Sequence, residues 1–132
     1  MSMGSPDRNH KKKITLLRSF YYAISGISSA IKTERNLRIH LTLSLLVIFL
    51  GFAFSITRIE WLIVILVLGG MLCAELINTA IERVVDLATE EYHPLAKQAK
   101  DIAAGAVLLF AVTSVVVGIV IFVPRILSIL SF

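Results

Sequence analysis

Charge is scarce in this 132-residue chain: Asp, Glu, Lys and Arg make up 17% of it, where soluble domains run nearer about a quarter. With 57% of residues hydrophobic and a mean hydropathy of +0.85, too little polar surface remains to cover a soluble core. Cysteine is almost absent. The single thiol, Cys73, excludes an intrachain disulfide framework and a thiolate zinc site, and within an apolar run it reads as a small hydrophobe. Acid is in deficit too, with 9 Asp and Glu against 13 Lys and Arg. In so apolar a chain, that basic excess points to an anionic membrane face rather than to nucleic acid. A secretory leader is not expected, because residues 1–13 are polar and basic where a leader needs an apolar core. Those residues read as a disordered basic tail. There is no internal repeat, no low-complexity segment, and neither a Walker A sequence nor a Gly-rich kinase loop; Gly69-Gly70 lies inside an apolar run and reads as a packing feature.

What the chain does have is three long, nearly uncharged stretches, and about 20 apolar residues are enough to cross ~30 Å of hydrocarbon as a helix. They run from Ile39 to Thr57, from Trp61 to about Ile81 with one acid, Glu75, and from Ile102 to Val123. The spacing predicts transmembrane helices over about 37–57, 60–87 and 94–123. The first two should be joined as a tight antiparallel hairpin through Thr57-Arg58-Ile59-Glu60, with Trp61 at headgroup depth. Pro94 should open the third helix at its first turn. Ahead of the first crossing, Leu17, Phe20, Ile24, Ile27 and Ile31 recur at intervals of three and four, opposite Arg18, Ser25, Ser28, Ser29 and Lys32. That pattern predicts an amphipathic surface helix over 14–33. The fold class expected is therefore an all-α integral membrane protein, with residues 14–132 forming one domain of a surface helix and three crossings.

The cations set the expected orientation. Eight fall within residues 1–38 and three between Glu82 and Asp101, whereas the opposite ends hold only Arg58 and Arg125. The positive-inside rule then puts the N-terminus and the second connection in the cytoplasm and the C-terminus outside, in a multi-pass protein of the cytoplasmic membrane.

Chemistry is expected on the second crossing. Glu75, Asn78, Glu82 and Asp86 follow one another at i, i+3, i+7 and i+11, so they lie within roughly 80° of one another and extend over ~16 Å of helix. An acid at membrane depth is costly and marks a functional site by default. Hydrogen-bonded packing of helices would suit Asn78 alone, but three carboxylates repel one another unless a proton, a metal ion or a cation neutralises them. Lys97 and Lys100, followed by Asp101, and Glu34 with Arg35 and Arg38 all fall at the same interface. Carboxylates that can hold Mg²⁺, with lysines that can meet a polyphosphate, suit magnesium-nucleotide chemistry. Two other classes remain open on geometry alone. One is a channel or transporter subunit in which Glu75, Asn78 and Glu82 line an ion path; the other is an assembly factor whose polar stripe binds partner helices.

The run Ala74-Glu75-Leu76-Ile77-Asn78-Thr79-Ala80-Ile81-Glu82-Arg83-Val84-Val85-Asp86, then Glu91-Tyr92-His93-Pro94-Leu95-Ala96-Lys97 and Ala99-Lys100-Asp101-Ile102-Ala103-Ala104-Gly105, resembles the prokaryotic diacylglycerol kinase family. The likeness covers roughly Leu17 to Val123. Thr33-Glu34-Arg35-Asn36 and His93-Pro94-Leu95-Ala96-Lys97 are similar to the Gram-positive branch, which includes undecaprenol kinases. The resemblance implies a homotrimeric membrane lipid kinase with active sites between subunits, transferring the γ-phosphate of ATP, with Mg²⁺, to a membrane lipid alcohol. Undecaprenol is the favoured acceptor and diacylglycerol the alternative. By position it implies that Glu75 is the general base toward the lipid hydroxyl, that Glu34 and Glu82 hold Mg²⁺, and that Asn78 and Asp86 support the site. Lys100 and Asp101 would contact the phosphates and position the reacting groups, and Tyr22, Glu91, Tyr92 and His93 would border the nucleotide. Ala103, Ala104, Gly105 and Ala106 would leave room for the lipid chain, or serve as a helix-packing patch. One departure stands out: members that prefer diacylglycerol carry an arginine where this chain has Thr15, with Arg18 a turn later.

Overall fold

The computed structural model describes residues 16–131; the expected tail, residues 1–13, and Thr15 lie outside the described residues. Four helices follow in order: α1 (Leu16–Thr33), α2 (Arg35–Ala53), α3 (Arg58–Ala88) and α4 (Pro94–Leu130). No strand occurs among the described residues. The last three helices are each long and apolar enough to cross a membrane.

Each break between helices has a local cause. Between α1 and α2 a single residue, Glu34, leaves helical geometry at φ −95°, ψ 115°. The Arg38 guanidinium reaches back and donates to the carbonyls of Ile31 and Lys32, at 3.1 and 3.0 Å. It thereby satisfies acceptors that a helix end would otherwise leave unpaired. Between α2 and α3, Ser55 takes a left-handed φ of 49°. The Ile56 N–H then donates to Gly51 O and the Ser55 N–H to Phe52 O, both at 3.1 Å. This crossed pair is the Schellman ending.

Where the sequence pattern made Thr57–Glu60 a connection, the structure makes it the first turn of α3. The Thr57 hydroxyl accepts from the Glu60 N–H at 3.3 Å, and the Glu60 carboxylate accepts from the Thr57 N–H at 2.7 Å. This reciprocal capping box pairs two donors that would otherwise be free. Pro94 is the first residue of α4, where its missing N–H costs nothing, and His93 Nδ1 caps it by accepting from the Leu95 N–H at 3.2 Å. Rather than stopping at Val123, α4 continues past Pro124 to Leu130. Just after that proline, Arg125 donates to Ile121 O at 2.6 Å and to Glu60 Oε2 of α3 at 2.7 Å.

The tightest packing lies at the end of the bundle where α2 turns into α3. Ile56, Val64, Ile121 and Phe122 are buried there, with Leu50, Phe54, Trp61 and Val117 around them. Trp61 stacks obliquely on Phe52, with ring centroids 4.7 Å apart. A Cβ on Gly51 would come within 2.7 Å of the indole, so the close approach of α2 to α3 requires glycine there. At the other end, α1 is tied down through its last turn: Arg83 of α3 donates to Thr33 Oγ1 at 2.7 Å and to Ser29 Oγ at 3.4 Å. The packed core and the polar ladder thus occupy opposite ends of the same helices.

Candidate active site

Along α3 the four ladder residues emerge by degrees: Glu75 is buried, Asn78 and Glu82 are half-buried, and Asp86 is exposed. Each meets a different partner. Glu75 faces α2, where His40 Nε2 stands 3.1 Å from its Oε1. Asn78 donates from Nδ2 to Glu82 Oε1 at 2.9 Å. Its Oδ1 is buried and has no partner among the described residues. Asp86 pairs with Lys100 of α4 at 2.5 Å.

The seam between α3 and α4 carries two depressions that follow one another along the helices. The first is an apolar groove of about 400 Å³ lined by Gly70, Cys73, Ala74, Ile77, Asn78 and Ile81 of α3 and by Ala99, Ile102, Ala103, Ala106 and Phe110 of α4. Small side chains at 99, 103 and 106 recur on one α4 face and leave the groove unfilled. At Gly70 of α3 the Phe110 side chain packs directly on the backbone, since a Cβ there would fall on the ring. The second depression, about 280 Å³, begins four residues farther along α3. Val85, Asp86, Thr89, Glu90, Glu91, Tyr92, His93, Ala96, Lys97 and Lys100 line it. The groove is hydrocarbon-like and the cleft is charged.

Glu34 lies at the α1–α2 junction, where its Oε1 accepts from Thr33 Oγ1 at 2.9 Å and sits 3.5 Å from the Arg83 guanidinium. Together with Glu82, it is close enough to Glu75 to act on it by charge. Among the described residues no three His, Cys, Asp or Glu side chains converge on one point.

The structure therefore gathers the expected residues into two groups. Asp86, Glu91, Tyr92, His93 and Lys100 share the charged cleft, while Glu34, Glu75 and Glu82 gather on the α2-facing side of α3, with Asn78 between the groups. Three residues stand apart. Tyr22 is exposed on α1, edge-on to Tyr21. Asp101 does not itself line the cleft but pairs with Lys97, which does, i,i+4, at 2.5 Å. Ala104 is exposed beside the groove, which Ala103 and Ala106 line instead. Two site residues were not singled out from sequence. Arg83 holds α1 to α3. His40 carried a signal all the same, as an ionisable side chain inside an apolar span.

Comparison with known proteins finds relatives over most of the chain. Residues 21–122 match the family model described as prokaryotic diacylglycerol kinase. The chain is 45% identical over 119 residues to the undecaprenol kinase of Bacillus subtilis, covering 89% of this chain and 97% of that one. It is 44% identical over 116 residues to the diacylglycerol kinase of Synechocystis, covering 87% of this chain and 66% of that one. The Escherichia coli K12 diacylglycerol kinase is 28% identical over 101 residues. The ladder from Glu75 to Asp86 and the Lys100-Asp101 pair fall inside the matched region, and the chain belongs to the prokaryotic diacylglycerol kinase family.

Proposed function

We propose that this protein is a lipid kinase of the cytoplasmic membrane that transfers the γ-phosphate of ATP to the hydroxyl of undecaprenol. The observation that carries the reading is the order of the two depressions on the α3–α4 seam. An apolar groove ends at Asn78 and Ile81, and a charged cleft opens at Val85 and Asp86. One helical turn, ~6 Å, separates them. A lipid alcohol rising through the groove would bring its hydroxyl beside Asn78, a turn from Glu75. A polyphosphate in the cleft would lie against Lys100, with Tyr92 and His93 bordering the base or ribose. Positioning and charge then supply most of the rate, as phosphoryl transfer needs no covalent intermediate on the protein.

In this reading Glu75 accepts the hydroxyl proton. Asn78 orients the acceptor and holds Glu82 by its hydrogen bond, and Lys100, oriented by Asp86, stabilises charge on the phosphates. Glu34 and Glu82 suit Mg²⁺ arriving with ATP, because that ion commonly takes one or two carboxylates and completes its shell with phosphate and water. The ion would offset phosphate charge. The separation of Tyr22 from the cleft within one chain supports a homotrimer in which a neighbouring copy completes each site. The exposed Leu17, Phe20, Ile24 and Ile27 of α1 support an amphipathic helix lying on the membrane. The excess of cations at this end supports placing the N-terminus and the α3–α4 connection in the cytoplasm. Undecaprenol is preferred over diacylglycerol because the Bacillus undecaprenol kinase aligns over nearly its whole length. The Synechocystis relative, of similar identity, keeps diacylglycerol as the second acceptor to test.

The test is transfer of labelled γ-phosphate from Mg-ATP to each lipid in mixed micelles, by wild type and by Glu75→Gln. The expected result is phosphorylation of undecaprenol above diacylglycerol, lost in the folded variant. Transfer to neither lipid by folded wild type would refute the activity, and preference for diacylglycerol would reverse the acceptor assignment.

A further inference from the structure

Phosphorylating an alcohol with ATP near neutral pH releases one proton per turnover. The hydroxyl O–H bond breaks, its oxygen bonds the γ-phosphorus, and the bond from phosphorus to the bridging oxygen breaks with its electron pair leaving on ADP. If Glu75 takes the proton, it must lose it before the next cycle. Its residue is only 3% exposed, so water does not reach it freely. The ionisable groups around it are the Glu34 and Glu82 carboxylates on the α1–α2 junction and α3, and His40 on α2. Of these only His40 touches it, with Nε2 at 3.1 Å and a side chain 23% exposed.

We propose that His40 is the proton exit of the site, taking the proton from Glu75 at Nε2 and releasing one from Nδ1 to water. The proposal rests on the reading of Glu75 as the base. Imidazole suits the task because its two nitrogens let a proton enter on one side and leave on the other, and because it exchanges protons near neutral pH. Neither Glu34 nor Glu82 offers a comparable route, since each is tied to another side chain, Thr33 and Asn78 respectively.

A relay that discharges the base after transfer leaves the first turnover intact and slows those that follow; a group that only orients Glu75 would slow both. The experiment is rapid-quench phosphorylation of undecaprenol under single- and multiple-turnover conditions by wild type, His40→Gln, His40→Ala and Glu75→Gln. Both His40 variants should give a first turnover at the wild-type rate. A steady state slower by about 10²-fold should follow, with kcat/KM for ATP unchanged, so that KM falls together with kcat. Added imidazole should restore the steady state of His40→Ala in a concentration-dependent way. Burst amplitude counts competent sites, so partial misfolding lowers amplitude without imitating the change of phase. A first turnover slowed as much as the steady state, a steady state at the wild-type rate, loss of the burst in both variants, or failure of imidazole to rescue would each overturn the relay. A Glu75→Gln enzyme that keeps its first turnover would instead overturn Glu75 as the base.

Discussion

Replacing Asn78 by leucine separates what the residue does for the fold from what it does for the reaction. The two side chains are close in size and shape, so the groove is neither emptied nor overfilled. Two polar effects then oppose each other. The wild-type residue buries an unpaired Oδ1, which costs about 1–3 kcal/mol, and donates to the Glu82 carboxylate at 2.9 Å, a charged hydrogen bond contributing about 1.5–3 kcal/mol. The substitution removes both, and Glu82 is only half-buried, so its freed oxygen can be hydrated. The expected change in stability is therefore small, within about 1 kcal/mol, or a few degrees of Tm for a chain of this size. Activity should behave differently. An amide that would sit beside the acceptor hydroxyl and hold a second carboxylate in place positions the reacting groups, and loss of such positioning costs about 10²-fold in kcat. Thermal unfolding in micelles and lipid phosphorylation measured on one preparation decide the matter. If Asn78→Leu kept activity within about threefold, or lost activity only in proportion to unfolding, the residue would belong to helix packing and the reasoning would fail.

Ser55→Gly should stabilise the protein by about 0.5–1 kcal/mol, because an L-residue in the left-handed region costs about 1–2 kcal/mol and the greater freedom of an unfolded glycine returns part of it; a melting scan with unchanged or lower Tm would contradict this. Ala103→Phe should fill the α3–α4 groove and raise the KM for lipid while leaving the KM for ATP unchanged, whereas an equal effect on both substrates would argue that the groove is structural. Arg125→Leu breaks the bond to Glu60 across α3 and α4 at the far end from the ladder, so Tm should fall while kcat of the folded fraction stays at the wild-type value. Chelation of divalent cations should abolish transfer reversibly, with helical circular dichroism unchanged and activity restored by Mg²⁺; transfer persisting in chelator would remove the carboxylate role given to Glu34 and Glu82.

Much of this architecture was legible because hydrocarbon imposes its own period and length on a sequence. Three uncharged runs read as three helices, and Pro94 marked the opening of α4 because a proline at the first helical position loses no bond. The end of α4 was less legible. Pro124 and Arg125 resemble a stop, yet the helix continues to Leu130, and the arginine meets Glu60, 65 residues away in sequence, a pairing no local pattern announces. The Thr57-x-x-Glu60 capping box has the spacing of its kind, in a segment so short that it also reads as a connection. At the site, the periodicity of Glu75, Asn78, Glu82 and Asp86 located the ladder correctly on one helix. It did not reveal that successive members turn toward different neighbours. At ~100° per residue Glu75 lies between Asn78 and Asp86 in angle, yet it meets His40 of α2 while both of those reach the α4 seam, so side-chain packing and not angle decides which residue goes where. Ala104 illustrates the same limit: one position from Ala103 means about 100° of rotation, enough to move it out of the groove.

Helix length explains why ladder residues of such different exposure can share one element. The 31 residues of α3 extend ~46 Å, whereas the hydrocarbon layer is ~30 Å thick. If the helix begins near one interface, as its capping box at Thr57 and Glu60 requires for groups that carry charge and hydrogen bonds, the hydrocarbon ends ~20 residues later. That boundary falls between Asn78 and Ile81. Glu75 is then held just inside the apolar layer, within reach of a lipid hydroxyl, while Glu82 and Asp86 project beyond it toward the aqueous phase. The sequence of exposure from buried Glu75 to exposed Asp86 follows the same gradient. Shortening α3 by one turn between its cap and Glu75 would draw Glu82 and Asp86 ~6 Å toward the hydrocarbon, through removal of four residues at ~1.5 Å each. Such a deletion should cost activity through misplacement of the ladder even where the helices still assemble. Moving the ladder four residues toward the C-terminus, by insertion at the same point, should carry Glu75 out of reach of the lipid instead.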